Sequence, residues 1–551
     1  MPPVSVSSSS SRSTPTSDAR TTYRLRVTDV AKIVCHRLQN STEEYLVRWK
    51  IAGGSTANKS TIYSWHCISE LSKCLHHVQE YIEKLPKSRP NTPFVVIPAG
   101  ASRKRKFSCD SQAIGSSSSS GNLTPRDWGH VSREPSVISL GSSSSTTSEA
   151  APLQTPTVYN GILQRKEGRI VAKKSDDPAV QRVDARKLPD QSMLKDAAQA
   201  PVTAAERAIQ AAFQAKLRSV KNTEWENHVD NTAPSLNFTF ISDFVLGKGV
   251  YRSDADAHVG CENPCRPNMG QNLGCEYPRE CACLEYAAVD KDLLKEDDVA
   301  RYTQYIEDRK TDGFLADSRG LPKRFPYRVS KDRIVPSTLM KFYLEQRYPI
   351  YECNLNCDCG PVCKSRVVQK GRKVPLVIFK TSNGRGWGVY CKEHLVKGEF
   401  IDTYIGEVLT NDETNRREEL SGKDIKASYL YSLDKFCGDD PNNELTKDNC
   451  YVVDGQHMGG PTRFINHSCE PNCQQYTVSY NKHDLRIYDL AFFAVEDIPP
   501  QTELTFDYMD QDEQELEDVV TKREAKAADP AYRDKQRCNC GARKCRWYLW
   551  E

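Results

Sequence analysis

The chain is poor in several features that would have fixed its class at once. It has no charge excess: 76 Lys and Arg against 73 Asp and Glu leave a formal net charge of +3. No bulk polycation therefore draws it to nucleic acid or to a membrane surface. It has no apolar run near the roughly 18 residues of a membrane span. Its Ser/Pro-rich start lacks the apolar centre of a secretory signal, so an intracellular protein with no membrane partner is expected. No Gly-x-Gly-x-x-Gly opens a helix after a strand, which excludes a Rossmann-type cofactor site. Phosphate-cradling glycine loops, internal repeats, Cys2His2 spacing and Ser/His/Asp or Cys/His nucleophile arrangements are missing as well.

What is abundant is cysteine. There are 21 in 551 residues, a length with room for two to four domains. In a reducing compartment such thiols favour metal binding over disulfides. Nine fall in two dense groups: Cys261, Cys265, Cys275, Cys281 and Cys283, then Cys353, Cys357, Cys359 and Cys363 after a long charged, Tyr-rich insertion with a helix expected near 290–310. Zinc takes four tetrahedral ligands, so nine thiolates cannot fill three separate sites. Either three of them each bridge two ions, or two ordinary four-cysteine sites leave one spare thiol. Near the C-terminus Cys538, Cys540 and Cys545 form another group, with Cys469 as the distant thiol that could complete it. Cys35, Cys67, Cys74, Cys109, Cys391, Cys437, Cys450 and Cys473 read as packed or free thiols.

Residues 1–22 are Ser/Thr/Pro-rich and read as disordered. Val27 to Leu38 and Glu44 to Lys50 read as strands about a Gln39-Asn40-Ser41-Thr42 turn, and Leu71 to Leu85 has helical apolar spacing. Two strands and one short helix around Tyr45-Leu46-Val47-Arg48-Trp49-Lys50 resemble a chromodomain over 23–86. Such modules hold methyl-lysine in an aromatic cage by cation–π attraction. Trp49 falls at one cage position, Thr28 and Ala52 at the other two, and Trp65 reads as core. Residues 87–235 read as linker, with serine runs, an Arg103-Lys104-Arg105-Lys106 cluster of nuclear-localisation type, and a helix over Ala204 to Val220 that packs on the catalytic half or joins the domains.

The C-terminal half shows many short strands with glycine turns, so a fold that is mainly β with some α is expected. In order come Arg385-Gly386-Trp387-Gly388, Tyr404-Ile405-Gly406-Glu407, Tyr429-Leu430-Tyr431, Arg463-Phe464-Ile465-Asn466-His467-Ser468-Cys469 and Phe506-Asp507-Tyr508. By residue type alone Trp387, Tyr404, Tyr429 and Tyr431 suit a half-buried sheet, and His467 a satisfied structural histidine. Together, in this order, the motifs resemble the SET-domain lysine methyltransferases. The nine-cysteine segment before them is similar to a pre-SET domain, and Cys538-x-Cys540-x4-Cys545 to a post-SET. With the chromo-like start, the chain resembles the fungal heterochromatin enzymes that methylate lysine 9 of histone H3. The expected domains are pre-SET at 236–372, SET at 373–510, and a linker with post-SET at 511–551.

The resemblance implies S-adenosyl-L-methionine as methyl donor, with Arg385, Gly386, Trp387, Gly388, Tyr429, Arg463, Phe464, Asn466 and His467 around it. It implies Tyr508 and Tyr404, with Asn466 and His467, at the methyl-transfer centre, and Phe506 and Tyr431 as walls of the lysine channel. A phenylalanine at 506 implies di- and trimethylation, since the family's alternative tyrosine fills that space. It implies three zinc ions on the nine pre-SET cysteines and one on Cys469, Cys538, Cys540 and Cys545. The implied partners are the histone H3 tail and the nucleosome, with a methyl-lysine ligand at the chromo-like module, in nuclear heterochromatin. The rivals are a catalytically weak chromatin scaffold that binds methylated tails and a zinc-dependent nucleic-acid binder. Lys522, Lys526 and Lys535, in a charged stretch after Tyr508, read as a solvated segment or as self-substrates.

Overall fold

The computed structural model describes residues 23–25, 29–50, 62–86, 158–166, 169–174, 188–254, 258–261, 275, 277–312, 316–328, 337–361, 363–421, 429–439, 444–510, 520–533 and 535–549. Thr28, Ala52 and Cys265, named above, lie outside the described residues.

The N-terminal module begins with β1 (Tyr23–Leu25), β2 (Val30–Gln39), β3 (Thr42–Trp49), β4 (Ile62–Cys67) and α1 (Leu75–Glu83). The β2–β3 hairpin closes on Asn40 and Ser41, both at positive φ, where the short Asn side chain tolerates the left-handed region. Alternation buries Val30, Ile33, Tyr45, Val47 and Trp49 against Leu71 and Val78. Two further strands, β5 (Val158–Lys166) and β6 (Arg169–Lys174), complete a six-stranded sheet in the order β1-β6-β5-β4-β3-β2. They come from the stretch expected to be linker. Trp49, expected in a methyl-lysine cage, is 2 % exposed and donates its indole N–H to Ser64 Oγ at 2.7 Å.

From 188 to 235, read as disordered or helical linker, the chain is folded. Here α2 (Gln191–Gln199) starts on an Asp190 cap, its carboxylate accepting from Met193 N at 2.8 Å, and α3 (Thr203–Leu217) follows. The expected helix is real, but both its faces are used. Ala205 packs into the module core, whereas Ile209, Phe213 and Leu217 belong to the main core of the catalytic body. No residue of α3 caps its own start; the buried Glu43 carboxylate of β3 accepts from Ala204 N at 2.8 Å and Ala205 N at 3.2 Å. An anion at a helix N-terminus satisfies orphan donors and meets the positive end of the dipole. From α1, Gln79 Nε2 donates to Ala233 O at 3.0 Å, and its Oε1 accepts from Leu236 N at 2.8 Å. The module is thus fastened to the catalytic body rather than hung from it.

That body is built of short sheets. Strand β7 (Thr223–Glu226) runs parallel to Leu376–Lys380, which pairs antiparallel with Trp387–Cys391. A four-stranded sheet joins Ile350–Tyr351, Cys473–Ser479, Asp489–Ala494 and Phe400–Tyr404. A second joins Leu430–Ser432, Val452–Asp454, Glu407–Leu409 and Val245–Leu246. Asn466–His467 pairs parallel with Thr505–Phe506, bringing the two ends of the motif set side by side. In the 284–352 insertion the expected helix forms at Glu296–Asp312.

Candidate functional site

The turn between Leu376–Lys380 and Trp387–Cys391 supplies one wall of a cavity of about 200 Å³. Gly384 and Gly386 take φ of +81° and +84°, a conformation that glycine adopts without steric cost. A Cβ on Gly388 would stand 2.7 Å from Glu503 Oε1, so backbone and carboxylate approach closely there. Asn466, His467, Tyr429 and Tyr508 line the same cavity, and Gln536, Asn539 and Leu549 of the C-terminal tail close it.

Glu503 organises this wall. Its Oε1 accepts from Asn466 Nδ2 at 2.8 Å, and its other oxygen pairs with the Arg385 guanidinium. Asn466 Nδ2 also donates to Trp387 O at 3.1 Å. Arg463 lies over the rings of Tyr429 (4.2 Å) and Phe464 (5.0 Å), and its Nε donates to Gly455 O at 2.9 Å. It braces Tyr429 from behind. Phe464 packs against Phe238 and Phe240 in the core, and Trp387 against Trp225, so both stand behind the wall as support.

A narrower channel of about 40 Å³ adjoins, walled by Tyr404, Tyr431, Ile465 and Phe506 with Tyr429 and Tyr508. Tyr429 and Tyr508 line both spaces. Tyr508 Oη donates to Ile465 O at 2.9 Å, and Tyr404 Oη to Tyr429 O at 2.8 Å. The Phe506 ring centre lies 4.8 Å from those of Tyr508 and Phe492. Burial pushes the phenols of Tyr404, Tyr431 and Tyr508 above their ordinary range, so they stay neutral donors. His467 is held down to about 4, by burial first and Arg546 second. With Tyr508 N–H donating to Nδ1 at 3.2 Å, the imidazole is neutral and Nε2–H donates to Cys469 Sγ at 3.3 Å.

The cysteines converge in space. Sγ atoms of Cys469, Cys538, Cys540 and Cys545 all lie within 4.8 Å of one another. Zn–S bonds of about 2.3 Å place tetrahedral sulfurs about 3.8 Å apart, and Cys469–Cys538 is 4.0 Å. Upstream, Cys261, Cys283, Cys353 and Cys357 form one group, Cys275, Cys353, Cys359 and Cys363 a second, and Cys261, Cys275 and Cys281 a third. Cys261, Cys275 and Cys353 each belong to two groups. None of these described cysteines is in a disulfide, and a sulfur-only donor set of this spacing fits zinc.

The comparisons agree with this geometry. The SET domain family matches residues 386–509, and the Pre-SET motif matches 215–366. The chain is 37% identical over 329 residues to the Neurospora crassa histone-lysine N-methyltransferase, H3 lysine-9 specific dim-5, covering 59% of this chain and 87% of that protein. It is 36% identical over 328 residues to the corresponding KMT1 enzyme of Fusarium mangiferae, with the same coverage of each. Against the zebrafish histone-lysine N-methyltransferase SUV39H1-A it is 35% identical over 329 residues, 59% of this chain and 64% of that one. The chain belongs to the SET-domain histone-lysine methyltransferases.

Three features of this SET domain were not singled out from the sequence. Glu503 carries no motif signature of its own, although it opens the Glu503-to-Tyr508 run; only the fold sets it against Arg385 and Asn466. Gln536 and Asn539 flank Cys538, so the C-terminal cysteine group, which could hold a metal ion, also carries part of the cavity wall. The buried Asp507–Arg546 pair ties the tail to the segment that carries Phe506 and Tyr508. Of the candidate self-substrates, Lys526 and Lys535 both lie over the Tyr532 ring, at 5.9 and 4.1 Å.

Proposed function

We propose that the chain transfers methyl groups from S-adenosylmethionine to lysine 9 of the histone H3 tail, through to the di- and trimethyl states, on nuclear heterochromatin. The observation that carries this reading is the junction of a polar cavity and an aromatic channel at Tyr429 and Tyr508. The larger space takes the cofactor and the narrower one the lysine side chain. S-adenosylmethionine, when bound, supplies an electrophilic methyl on a sulfonium. Arg385, Asn466 and His467 hold it from one side, and the Glu503 carboxylate keeps the first two in place.

The substrate ammonium has an ordinary pKa of about 10.4, so neutralising it near pH 7 costs about 4–5 kcal/mol. A dry aromatic channel disfavours the charged form by desolvation. The neutral phenols of Tyr404 and Tyr508 orient the amine, and alignment in a narrow space supplies the proximity contribution. Trimethylation needs room, and the unsubstituted ring of Phe506 leaves it.

For the metal, three shared thiolates (Cys261, Cys275 and Cys353) among nine supply twelve metal–sulfur bonds, enough for three zinc ions, with Cys265 as the ninth ligand. Cys469, Cys538, Cys540 and Cys545 hold a fourth ion that keeps the tail on the cavity. With sulfur at every position these ions are structural. An assay with H3 tail peptides carrying lysine or arginine at position 9 tests the reading. Methyl transfer to the first and none to the second is expected. A protein that binds the tail but transfers nothing would be the scaffold instead.

A further inference from the structure

The pre-SET cysteines raise an electrostatic problem. Nine thiolates against three Zn²⁺ leave roughly three negative charges in a buried site, and uncompensated buried charge is costly. Three cations lie close to that site. Arg366, only 4 % exposed, points Nη2 at Cys359 Sγ (3.8 Å) and at Asn354 O, and the negative groups facing it are the thiolates of Cys353, Cys357 and Cys359. Its Nε has no hydrogen-bond partner among the described residues. Lys323, 3 % exposed, donates to Leu284 O at 2.6 Å, the carbonyl next to Cys283, and faces Cys281, Glu285 and Asp317. Lys370 donates to Cys363 O at 3.2 Å. Of the nearby carboxylates, Glu285 is bound by Lys482, and Glu352 accepts from Val367 N and Val368 N, each at 2.8 Å.

A buried guanidinium aimed at Cys359 Sγ suits a site that carries net negative charge once its metal is bound. We propose that Arg366, Lys323 and Lys370 form a cationic collar that offsets the charge of a trinuclear zinc–thiolate cluster and slows the loss of its metal. The inference rests on the three-ion reading above. It assigns a function to residues that bind neither cofactor nor substrate.

The test measures zinc per chain by elemental analysis and the rate of zinc transfer to a pyridylazo-resorcinol dye, on the full chain. Wild type is compared with Arg366→Gln, Arg366→Lys and Lys370→Met. Release from the cluster is expected to be about 10-fold or more faster in Arg366→Gln, by analogy with other outer partners of metal ligands. Lys370→Met should move in the same direction by less, and Arg366→Lys should restore slow release because the charge is kept. The zinc of the C-terminal site is the internal reference, and its release phase should not move. Lys370 is exposed, so that variant folds and keeps the test alive if Arg366→Gln does not fold. Wild-type release in Lys370→Met with no rescue by Arg366→Lys overturns the collar. Fewer than three zinc ions on the pre-SET cysteines of the wild type overturns the three-ion reading instead.

Discussion

Arg546 holds Asp507 in a two-point contact, Nη2 to Oδ1 at 2.8 Å and Nη1 to Oδ2 at 3.2 Å, with the arginine 1 % exposed. Asp507 stands between Phe506 of the channel and Tyr508 of the shared wall. The C-terminal tail is therefore fastened by charge beside the residues that line the channel. Removing one member leaves the other buried and unpaired, at a cost of about 3–5 kcal/mol. Asp507→Asn and Arg546→Met should raise the KM for S-adenosylmethionine more than they lower kcat, with the zinc content unchanged. Cofactor titrations that match wild type would break the link.

The metal site makes a separate prediction. Cys545→Ser removes one of four thiolates within 4.8 Å of one another. The variant should lose one zinc ion per chain by elemental analysis, bind S-adenosylmethionine weakly and transfer no methyl groups. Full activity with that zinc gone would show that the tail does not need it.

Phe506→Tyr places a hydroxyl in a channel of about 40 Å³ in which the Tyr508 ring centre lies 4.8 Å from that of Phe506. The product should stall at the mono- or dimethyl state, with the first transfer little affected. Mass spectra of the product peptide decide it, and an undiminished trimethyl peak would sink the assignment of the channel.

Activity should climb between pH 7 and 9. The substrate amine loses its proton more readily as pH rises, by up to about tenfold per unit below its pKa of about 10.4. The enzyme's own phenols do not compete in that window: burial raises Tyr404 and Tyr508, so each keeps its proton above the ordinary phenol range. A flat kcat profile would mean that proton loss does not limit the reaction.

In the N-terminal module, Trp49→Ala should destabilise by about 3–5 kcal/mol, as expected for a buried aromatic, because the ring fills the core and bonds Ser64. Chemical denaturation gives the number. A change below about 1 kcal/mol would be surface behaviour and would return Trp49 to the role of cage residue.

The catalytic half was legible because its chemistry depends on residues close in sequence or on cysteine counts. Asn466 and His467 are neighbours, Phe506 and Tyr508 lie two residues apart, and the thiols fall in dense groups. The rest depended on contacts between distant segments. Glu503 is one more acidic residue until Arg385, 118 positions away, turns towards it. The 87–235 stretch looked like linker because its serine runs hide β5 and β6, and because α3 has apolar residues for two different cores. Trp49 sits at the right place in the motif, yet Ser64 on the neighbouring strand draws its indole inwards.

The Glu43 cap on α3 has a consequence for how such genes can be recombined. A β module transplanted from another protein would bring its own third strand, and unless that strand carried a carboxylate at the same height, α3 would begin with bare N–H groups. The two halves of this enzyme are therefore not interchangeable cassettes: one acidic side chain makes the first a component of the second.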